Sequence, residues 1–200
     1  MLINSRKVEF MAHTEDRRVR KTKRAMIKAL AELLMKKPLA SISVREIAEN
    51  ADINRGTFYL HYRDVEDMAE KLQAEIFEEF NRIVDRHEAD VQSDRLFPML
   101  AEIFNLLLNN AELACVLISK NGGTAFINSL KTVLRDKCFA NAHDVLGIKN
   151  NDEFDYFYNY TVNGCIGICS AWLMGGMKET PMEMADFTER LITKSVEALR

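Results

Sequence analysis

The spacing of apolar residues predicts helices along most of the chain. In "RAMIKALAELLMKK", residues 24–37, apolar positions recur every three or four residues and Lys and Arg lie opposite, the pattern of an amphipathic helix. No run alternates apolar and polar residues between turn signals, so no strand is expected. The sequence therefore predicts an all-α fold. Pro38 is expected to end the first helix. The apolar stripe expected along this helix consists of Ile27, Leu30, Ala31 and Leu34.

Capping residues divide the first 90 residues into four helices. Ser43 opens the second helix and Glu46 follows three residues later, the spacing of a capping box. Asn54 can cap a third helix and Asp64 a fourth, which runs to about His87. A helix of that length spans about 36 Å, so the fourth helix is long enough to connect two parts of the protein.

The second half of the chain carries the same kind of signals. Helices are expected from Ser93 through "LFPMLAEIFNLLLNN", over "AELACVLIS", from about Thr124 to Val145 and over "DEFDYFYNYTVNGCIGICSAWLM". "NGG" at 121–123 and "GG" at 175–176 break the pattern. Thr180, with proline next and glutamate third, starts the last helix. About nine helices are expected in all.

The last two helices are too apolar to lie fully exposed to solvent. The first of them is expected to carry Phe157, Tyr160, Gly164, Ile168 and Trp172 near one face, and the second Met184, Phe187, Leu191, Ile192 and Val196. Small residues at Gly164, Gly167 and Ala171 would let another helix come close. An internal core helix is one interpretation. The one we favour is a four-helix interface between two copies of the chain.

Two short helices joined by a few residues, the first of them capped and amphipathic, indicate a helix-turn-helix motif. Its second helix, at about Asn54–Leu60, is the candidate reader of the major groove, whose width admits one helix. Arg55 projects early from this helix, and its planar guanidinium can bond O6 and N7 of guanine. Arg45, in the preceding helix, could do the same or hold a phosphate.

The other side chains of the reading segment divide by type. Thr57, Tyr59 and His61 recur at every second position and offer hydroxyl and imidazole donors to phosphate oxygens. Gly56 removes side-chain bulk where the helix would approach DNA. Phe58 and Tyr62 are expected on the core side, although Tyr62 also stands among the candidate DNA-binding residues, together with Asn54 and Arg63.

Charge is divided unevenly along the chain. The net charge of −3 does not favour a nucleic-acid binder. Residues 1–64, however, hold 14 Lys and Arg against 8 Asp and Glu, whereas residues 65–200 hold 13 against 22. "RRVRKTKR", residues 17–24, includes Arg18 and Lys21 and could neutralise backbone phosphates, or be only a solvated helix face. A basic segment, residues 1–64, joined to an acidic one, residues 65–200, indicates that the basic segment binds a polyanion.

Several classes of function find no support in the sequence. No apolar run reaches the roughly 18 residues of a membrane span, and the first residues lack the apolar core of a secretory signal. No phosphate-binding loop, GxSxG, zinc motif or supported pair of catalytic carboxylates is present. We therefore expect no enzymatic activity, no metal and no cofactor. The four cysteines are expected to be reduced and packed, and the spacing of Cys165 and Cys169 permits a thiol sensor without arguing for one.

The segment "SVREIAENADINRGTFYLHYRDVEDM" resembles the DNA-binding segment of the TetR family, and the resemblance covers residues 14–75. It implies a three-helix DNA-binding domain followed by a long connecting helix. Members of that family are mostly homodimeric, ligand-responsive repressors, and some are activators. "FYNYTVNGCIGICSAWLMGGMKETPMEMADFTERL" similarly resembles the Firmicutes-type C-terminal domain of the family.

The resemblance assigns roles by position. It places three residues at phosphate contacts and two at or near the bases, namely Thr57, Tyr59 and His61, and Arg45 and Arg55. Gly56 matches the small residue usual in "GTFY". Family members commonly carry a lysine at the start of the fourth helix that reaches a phosphate, and this chain has Val65 there. Arg63 could take over that role; otherwise each half-site loses one charge contact, which would weaken affinity without abolishing sequence reading.

We therefore expect a disordered N-terminal arm over residues 1–13, a helix-turn-helix domain over 14–63, and a regulatory and dimerisation domain over 64–200. The protein is expected to bind double-stranded operator DNA as a homodimer, in the bacterial cytoplasm and at the nucleoid when bound. An effector, if there is one, would bind among the apolar helices of the body. The candidate pocket residues are Phe104, Leu108, Phe126, Leu130, Phe157, Tyr160 and Trp172. A TetR-like activator or co-regulator that works mainly through a protein partner is the alternative.

Overall fold

The computed structural model describes residues 3–93, 95–118, 124–139 and 151–198. Within these ranges it contains ten α-helices and no strand, which confirms the all-α class. The helices are α1 (Ile3–Leu34), α2 (Val44–Asn50), α3 (Arg55–Tyr59), α4 (Val65–Arg86), α5 (Glu88–Gln92), α6 (Phe97–Asn109), α7 (Ala111–Ile118), α8 (Thr124–Cys138), α9 (Asn151–Met174) and α10 (Pro181–Glu197). A short 3-10 helix, Leu39–Ser41, leads into α2. The one-turn helix α5 is an element that the sequence pattern did not predict.

The first helix is longer than its apolar stripe suggested. α1 begins at Ile3, so the segment expected to be a disordered arm, residues 1–13, is helical from residue 3 onward. No glycine or proline precedes Pro38 in the sequence. Because these are the residues that interrupt helices most strongly, the backbone chemistry offers no stop signal in this stretch.

Contacts divide the chain into two compact units, residues 1–70 and residues 71–200. The first unit holds α1, α2, α3 and the beginning of α4, and the second holds the remainder of α4 and all later helices. The sequence placed the boundary between residues 63 and 64, where α4 begins. The contacts place it one to two turns further along the same helix.

The core of the first unit lies among α1, α2 and α3. In α1 the buried apolar residues are Met26, Ala29, Leu30, Ala31 and Leu33. Ile27 and Leu34, which the predicted stripe included, are only half-buried. An apolar helix face is at least about 100° wide, so several rotations fit the sequence and packing selects one. Ile47 and Ala48 of α2 and Phe58 of α3 complete this core.

The predicted caps are confirmed in the structure. Ser43 and Thr180 each form a capping box with the glutamate three residues later, Glu46 and Glu183. The side chain of Asn54 accepts a hydrogen bond from the backbone N–H of Gly56 at 2.8 Å. The carboxylate of Asp64 accepts one from the N–H of Asp67 at 2.7 Å.

In the second unit, a contact distant in sequence fixes where α6 starts. The carboxylate of Glu189, in α10, accepts hydrogen bonds from the backbone N–H groups of Leu96 and Phe97 at 3.0 and 2.8 Å. These bonds supply the cap that α6 lacks locally. The helix therefore begins at Phe97 and not at Ser93. Phe104 of α6 then packs edge-to-face on Trp172 of α9, with ring centroids 5.3 Å apart.

Two other predicted boundaries lie outside the described ranges. The "NGG" break at 121–123 is one of them, and the end of the helix expected to reach Val145 is the other. α8 extends to Cys138. The end of α9 lies within the structure: Gly176 has φ +89, and the N–H of Met177 reaches the carbonyl of Trp172 at 3.0 Å. This is the Schellman geometry that favours glycine.

None of the described helices is both long enough and apolar enough to cross a membrane. The cysteines in the structure are free thiols. Burial raises the pKa of Cys165 to about 11 and that of Cys169 to about 12. These thiols are therefore protonated at neutral pH and poor nucleophiles, which does not favour a thiol-sensor role for the pair.

Candidate nucleic-acid interface

The turn between α2 and α3 is set by backbone hydrogen bonds at the end of α2. The N–H of Ile53 bonds to the carbonyl of Ala48 at 3.0 Å and that of Asp52 to Glu49 at 3.3 Å, which is the Schellman arrangement. Asp52 takes the left-handed position with φ +52, a conformation that aspartate tolerates better than most residues. Asn54 then caps α3. The orientation of α3 relative to α2 is thus set by hydrogen bonds and backbone angles within a segment of about five residues.

The inner face of α3 is anchored by two rings. Phe58 is fully buried and Tyr62 is 4% exposed, and their ring centroids lie 5.6 Å apart. This confirms the core side predicted for both residues. It also corrects the inclusion of Tyr62 among the DNA-binding candidates, because its ring lies in the core and not on the outer surface.

The outer face of α3 presents the side chains of the predicted reading segment to solvent. Arg55 is exposed, Tyr59 is 57% exposed, and Thr57 and His61 are half-buried. Thr57 and Tyr59 lie on different sides of α3, and His61 lies two residues beyond the end of the helix. The three residues therefore do not form one row, and Tyr59 is the most accessible of them.

Leu60 is a surface residue to which the sequence pattern assigned no role. It is 81% exposed, an unusual position for a leucine beside a reading helix. An exposed apolar group there is suited to contact with the methyl group of thymine. The signal was present in the spacing: Phe58 and Tyr62, four apart, define the buried side, so the residue midway between them must point outward.

The arginines near α3 differ in their engagement. Arg45 donates to Glu49 at 2.7 Å, and Arg63 binds Asp67 through its guanidinium at 2.9 Å. Among the residues that the structure describes, none forms an ion pair with Arg55. Its donors are therefore available without the loss of an existing bond, which suits bidentate bonding to a base.

Val65 and Arg63 stand where the phosphate-binding lysine was expected. Val65 is 3% exposed and packs in the core of the first unit. The Arg63 side chain is 79% exposed, although Asp67 holds it. Asp67 also accepts the backbone N–H of Arg63 at 3.0 Å, so the carboxylate fixes both the main chain and the side chain before α4. Because the side chain is still largely exposed, part of the guanidinium remains accessible to solvent.

Gly56 is not required by packing within the chain. A Cβ built there would meet only the Asn54 side-chain oxygen, at 3.4 Å, which is an ordinary contact. Gly56 is also exposed. The fold therefore explains the role of the Gly56 N–H in capping α3. It does not explain why residue 56 is a glycine and not a residue with a side chain.

The basic segment of α1 is exposed. Arg17, Arg18, Arg20, Lys21 and Arg24 all face solvent. Arg17, Lys21, Arg24 and Lys28 follow one another at intervals of three or four residues, so they share a side of the helix. Lys28 lies 3.9 Å from Glu32, a separation that leaves its charge largely accessible.

The second unit contains an apolar cavity of about 110 Å³. Its walls come from α4, α6, α7, α8 and α9. Of the predicted pocket residues, Phe126 and Leu130 line it. The other five do not line this cavity: Phe104, Phe157 and Trp172 are buried, and Leu108 and Tyr160 are exposed.

Comparisons with known proteins agree with this arrangement. The family described as "Bacterial regulatory proteins, tetR family" matches residues 26–72, and the one described as "Transcriptional regulator C-terminal region" matches residues 94–194. Three of the solved structures that share the fold illustrate the likeness. The first is the dihydroxyacetone kinase operon activator DhaS, with a TM-score of 0.56 and 19% identity, where the match covers 88% of this chain and 97% of that one. The second is the regulator FadR from Bacillus subtilis in complex with stearoyl-CoA, with a TM-score of 0.55, 18% identity and coverage of 86% of this chain and 97% of that one. The third is a TetR transcriptional regulator from Streptococcus agalactiae 2603V, with a TM-score of 0.53, 20% identity and coverage of 90% of this chain and 98% of that one.

The first family match covers α2 and α3 with parts of α1 and α4, and the second covers α6 to most of α10. The two matches thus cover regions of both compact units, and the resemblance stated from the sequence is confirmed. The chain belongs to the TetR family of bacterial transcriptional regulators, and its first unit is the helix-turn-helix DNA-binding domain of that family.

Proposed function

We propose that this regulator is a homodimeric, ligand-responsive repressor that reads a near-palindromic operator. The observation that carries the proposal is the two-sided character of α3. Phe58 and Tyr62 anchor its inner side, and Arg55, Tyr59 and Leu60 face solvent on the outer side. A short helix held from beneath, with donors and an apolar group outward, is suited to the major groove.

The exposed residues then divide into readers and anchors. Arg55 bonds a guanine through its unpaired fork, with Arg45 beside it at or near the bases. Thr57, Tyr59 and His61 hold phosphates, and Arg63 takes the place of the absent lysine. The cations of α1, including Arg18 and Lys21, add charge neutralisation that does not depend on sequence.

Dimerisation through α9 and α10 is supported by the residues that these helices leave uncovered. The large exposed apolar residues on the two helices include Tyr156, Tyr160, Met174, Phe187 and Leu191. A Cβ at Gly164 or Gly167 would meet nothing within 4 Å, so the backbone of α9 is open to a close neighbour. A two-fold dimer of this kind would present two reading helices to half-sites about one DNA turn apart, or somewhat more.

Ligand response is supported by the cavity and by α4. Ile76 and Phe80 of α4 line the cavity, and the same helix begins in the DNA-binding unit. A ligand that binds one arrangement of α4 more tightly than another would change the population of DNA-competent dimers. The FadR complex with stearoyl-CoA shows that a protein of this fold can hold a small molecule.

A salt titration of DNA binding tests the reading function. Operator candidates come from selection of bound sequences out of random duplexes, and a scrambled duplex of equal length is the control. We expect affinity for both to fall steeply with salt, while the selected site keeps an advantage of at least about a thousandfold at physiological salt. Equal binding of selected and scrambled duplexes at physiological salt would show that the protein is not a sequence reader.

The alternative is an activator or co-regulator that acts mainly through a protein partner. It is favoured by the likeness to DhaS, which is named as an operon activator, and by the acidic balance of residues 65–200. Transcription reconstituted with polymerase and the selected operator separates the two. A repressor lowers transcript yield from a promoter that overlaps the operator, whereas an activator raises it only when polymerase or another partner is contacted.

A further inference from the structure

The cavity of the second unit has an unusually uniform lining. Fourteen side chains form its walls, and apart from the Cys169 thiol every one of those described is a hydrocarbon side chain. The α4 wall contains Ile76 and Phe80, and the α8 wall contains Phe126, Ile127 and Leu130. No described lining residue offers a hydroxyl, amide or charged group.

This lining restricts what can bind. A carboxylate, phosphate or ammonium group placed there would lose its hydration and find no partner, which is strongly unfavourable. A buried amide or hydroxyl would meet the same obstacle to a smaller degree. The Cys169 thiol does not alter this conclusion, because burial keeps it protonated.

The volume restricts size. Purely apolar cavities tend to remain dry, and an engineered cavity of about 150 Å³ takes up benzene. At about 110 Å³, this cavity is somewhat smaller. We propose that it binds an uncharged hydrocarbon group of about the size of one aromatic ring, either as a whole small molecule or as the end of a longer apolar chain.

The proposal rests on the ligand-responsive function proposed above and names the chemistry of that site. Ile76 and Phe80 are buried residues of α4 that line the cavity, so an occupant of the cavity contacts α4 directly. Occupancy would therefore favour the α4 arrangement that fits the filled cavity. The effector class would be lipophilic and neutral, in contrast to regulators that recognise an ionic head group.

Thermal unfolding of the full chain with small probes tests the binding step without DNA. Toluene represents the free ring, 1-dodecanol the end of a longer chain, and benzoate a ring of similar size that carries a charge. We expect toluene, dodecanol or both to raise Tm by about 5 °C at a free concentration near 100 times Kd. Benzoate should leave Tm unchanged. A shift with toluene alone identifies a small molecule, and a shift with dodecanol identifies a chain end.

Two variants on α8 locate the binding. Leu130→Trp replaces a lining side chain with a much larger one, so it occupies part of the cavity and should abolish the probe-induced shift. Thr132→Trp is the matched control, because Thr132 is exposed on the same helix and does not line the cavity. It should keep the shift. If both variants keep it, or if benzoate stabilises as well as toluene, the proposed site is wrong.

A second readout separates this proposal from the proposed function. Operator affinity is measured with and without the probe that raises Tm. Stabilisation with no change in operator affinity supports the cavity and refutes ligand-responsive regulation by this class of compound. Failure of every uncharged probe to raise Tm, in a protein that still reads its operator, overturns the cavity proposal and leaves DNA recognition intact.

Discussion

Single residues on α3 separate packing from recognition more clearly than their order in the chain suggests. Phe58 on α3 and Tyr62, three residues beyond its end, are buried, whereas Tyr59 and Leu60 between them are exposed. Arg55 is exposed without an ion-pair partner in the described structure, whereas Arg45 and Arg63 each hold a carboxylate. Substitution of these exposed residues should therefore change DNA binding and leave the folding of α3 unaffected.

Replacing Arg55 should weaken operator binding selectively. Arg55→Ala is expected to cost about 1–3 kcal/mol on the selected operator and to relax preference at one base pair. Arg55→Lys keeps the charge but loses the planar fork, so it should restore nonspecific binding more than base preference. Tyr59→Ala or His61→Ala should weaken all sequences more evenly.

Fluorescence anisotropy with the operator and its single-base variants measures both quantities for Arg55. Lys36→Ala is the control, because it removes one exposed cation of the same unit outside the DNA-binding set. Arg55→Ala with unchanged affinity and unchanged base preference would mean that the reading face lies elsewhere.

A single added methyl group at Gly56 can distinguish an effect on folding from an effect on DNA recognition. Gly56→Ala adds a methyl group that the chain itself accommodates, so thermal stability should be unchanged or higher by at most about 1 kcal/mol. If α3 approaches DNA closely, the same methyl group should cost about 1–3 kcal/mol of operator affinity. Calorimetry and operator titration of the same sample check the two effects. Full operator affinity in a stable variant would show that no close approach occurs at this position.

At the scale of elements, the end of α4 is held by an ionic cluster that the sequence did not indicate. The His87 ring nitrogens lie 3.0 Å from Asp90 and 3.0 Å from Glu102. Arg95 binds Asp90 at 2.6 Å and Arg86 binds Glu102. The cluster joins α4 to α5 and α6. The hydrogen bond to Asp90, followed by the bond to Glu102, raises the pKa of His87 above its ordinary value.

This shift predicts a pH dependence of stability. Because the pKa of His87 is higher in the folded state, the stabilisation is fully present below the unfolded value of 6.5 and is lost as pH rises through the folded pKa. Wild type should therefore exceed His87→Gln in free energy of unfolding by more at pH 6 than at pH 8.5. Urea denaturation at both pH values measures this difference. An equal difference at the two values would show that protonation of His87 does not contribute.

At the scale of the whole molecule, charge and apolar surface are distributed in opposite ways. The basic excess lies in residues 1–64 and the acidic excess in residues 65–200. Large exposed apolar residues outside α3 lie mainly on α9 and α10. One part is thus suited to a polyanion and the other to a second copy of the chain, which is the division of labour expected of a dimeric regulator.

The proposed dimer predicts a change of assembly state from one substitution. Leu191→Asp places a charge on the exposed face of α10, where two-fold symmetry would repeat it in the partner. We expect the dimer Kd to rise by about 100-fold or more, because an unpaired charge would be buried twice. Sedimentation equilibrium measures the change.

Met182→Asp is the matched control for Leu191→Asp, since Met182 is also exposed on α10 but on a different side of the helix. It should leave the dimer intact. A Leu191→Asp protein that remains dimeric at the wild-type Kd would place the interface on another surface.

Much of the fold could be predicted because its signals are local. The capping boxes at Ser43 and Thr180, the Asn54 cap and the end of α9 at Gly176 each depend on residues within about five positions. The core side predicted for Phe58 and Tyr62 likewise concerns two apolar rings of one short segment. The family resemblance was likewise carried by a continuous segment.

Predictions failed where residues distant in sequence decide the outcome. Phe157 and Trp172 are buried while Tyr160 and Gly164 are exposed, so the face predicted for α9 is covered at some positions and open at others. The helix is apolar nearly all round, and periodicity alone cannot orient such a helix. In α10, similarly, Ala185 and Thr188 are buried while Phe187 and Leu191 are exposed.

The helical class, the capped starts of α2, α3 and α10, the inner side of the reading segment and the family follow from the amino-acid sequence alone, because they depend on short-range spacing and side-chain chemistry. The cap that Glu189 gives α6, the cluster around His87 and the walls of the cavity arise only when the chain packs. Those features bring together residues of separate helices. Their geometry depends on how helix faces pack, and many rotations of an apolar helix satisfy the same sequence pattern.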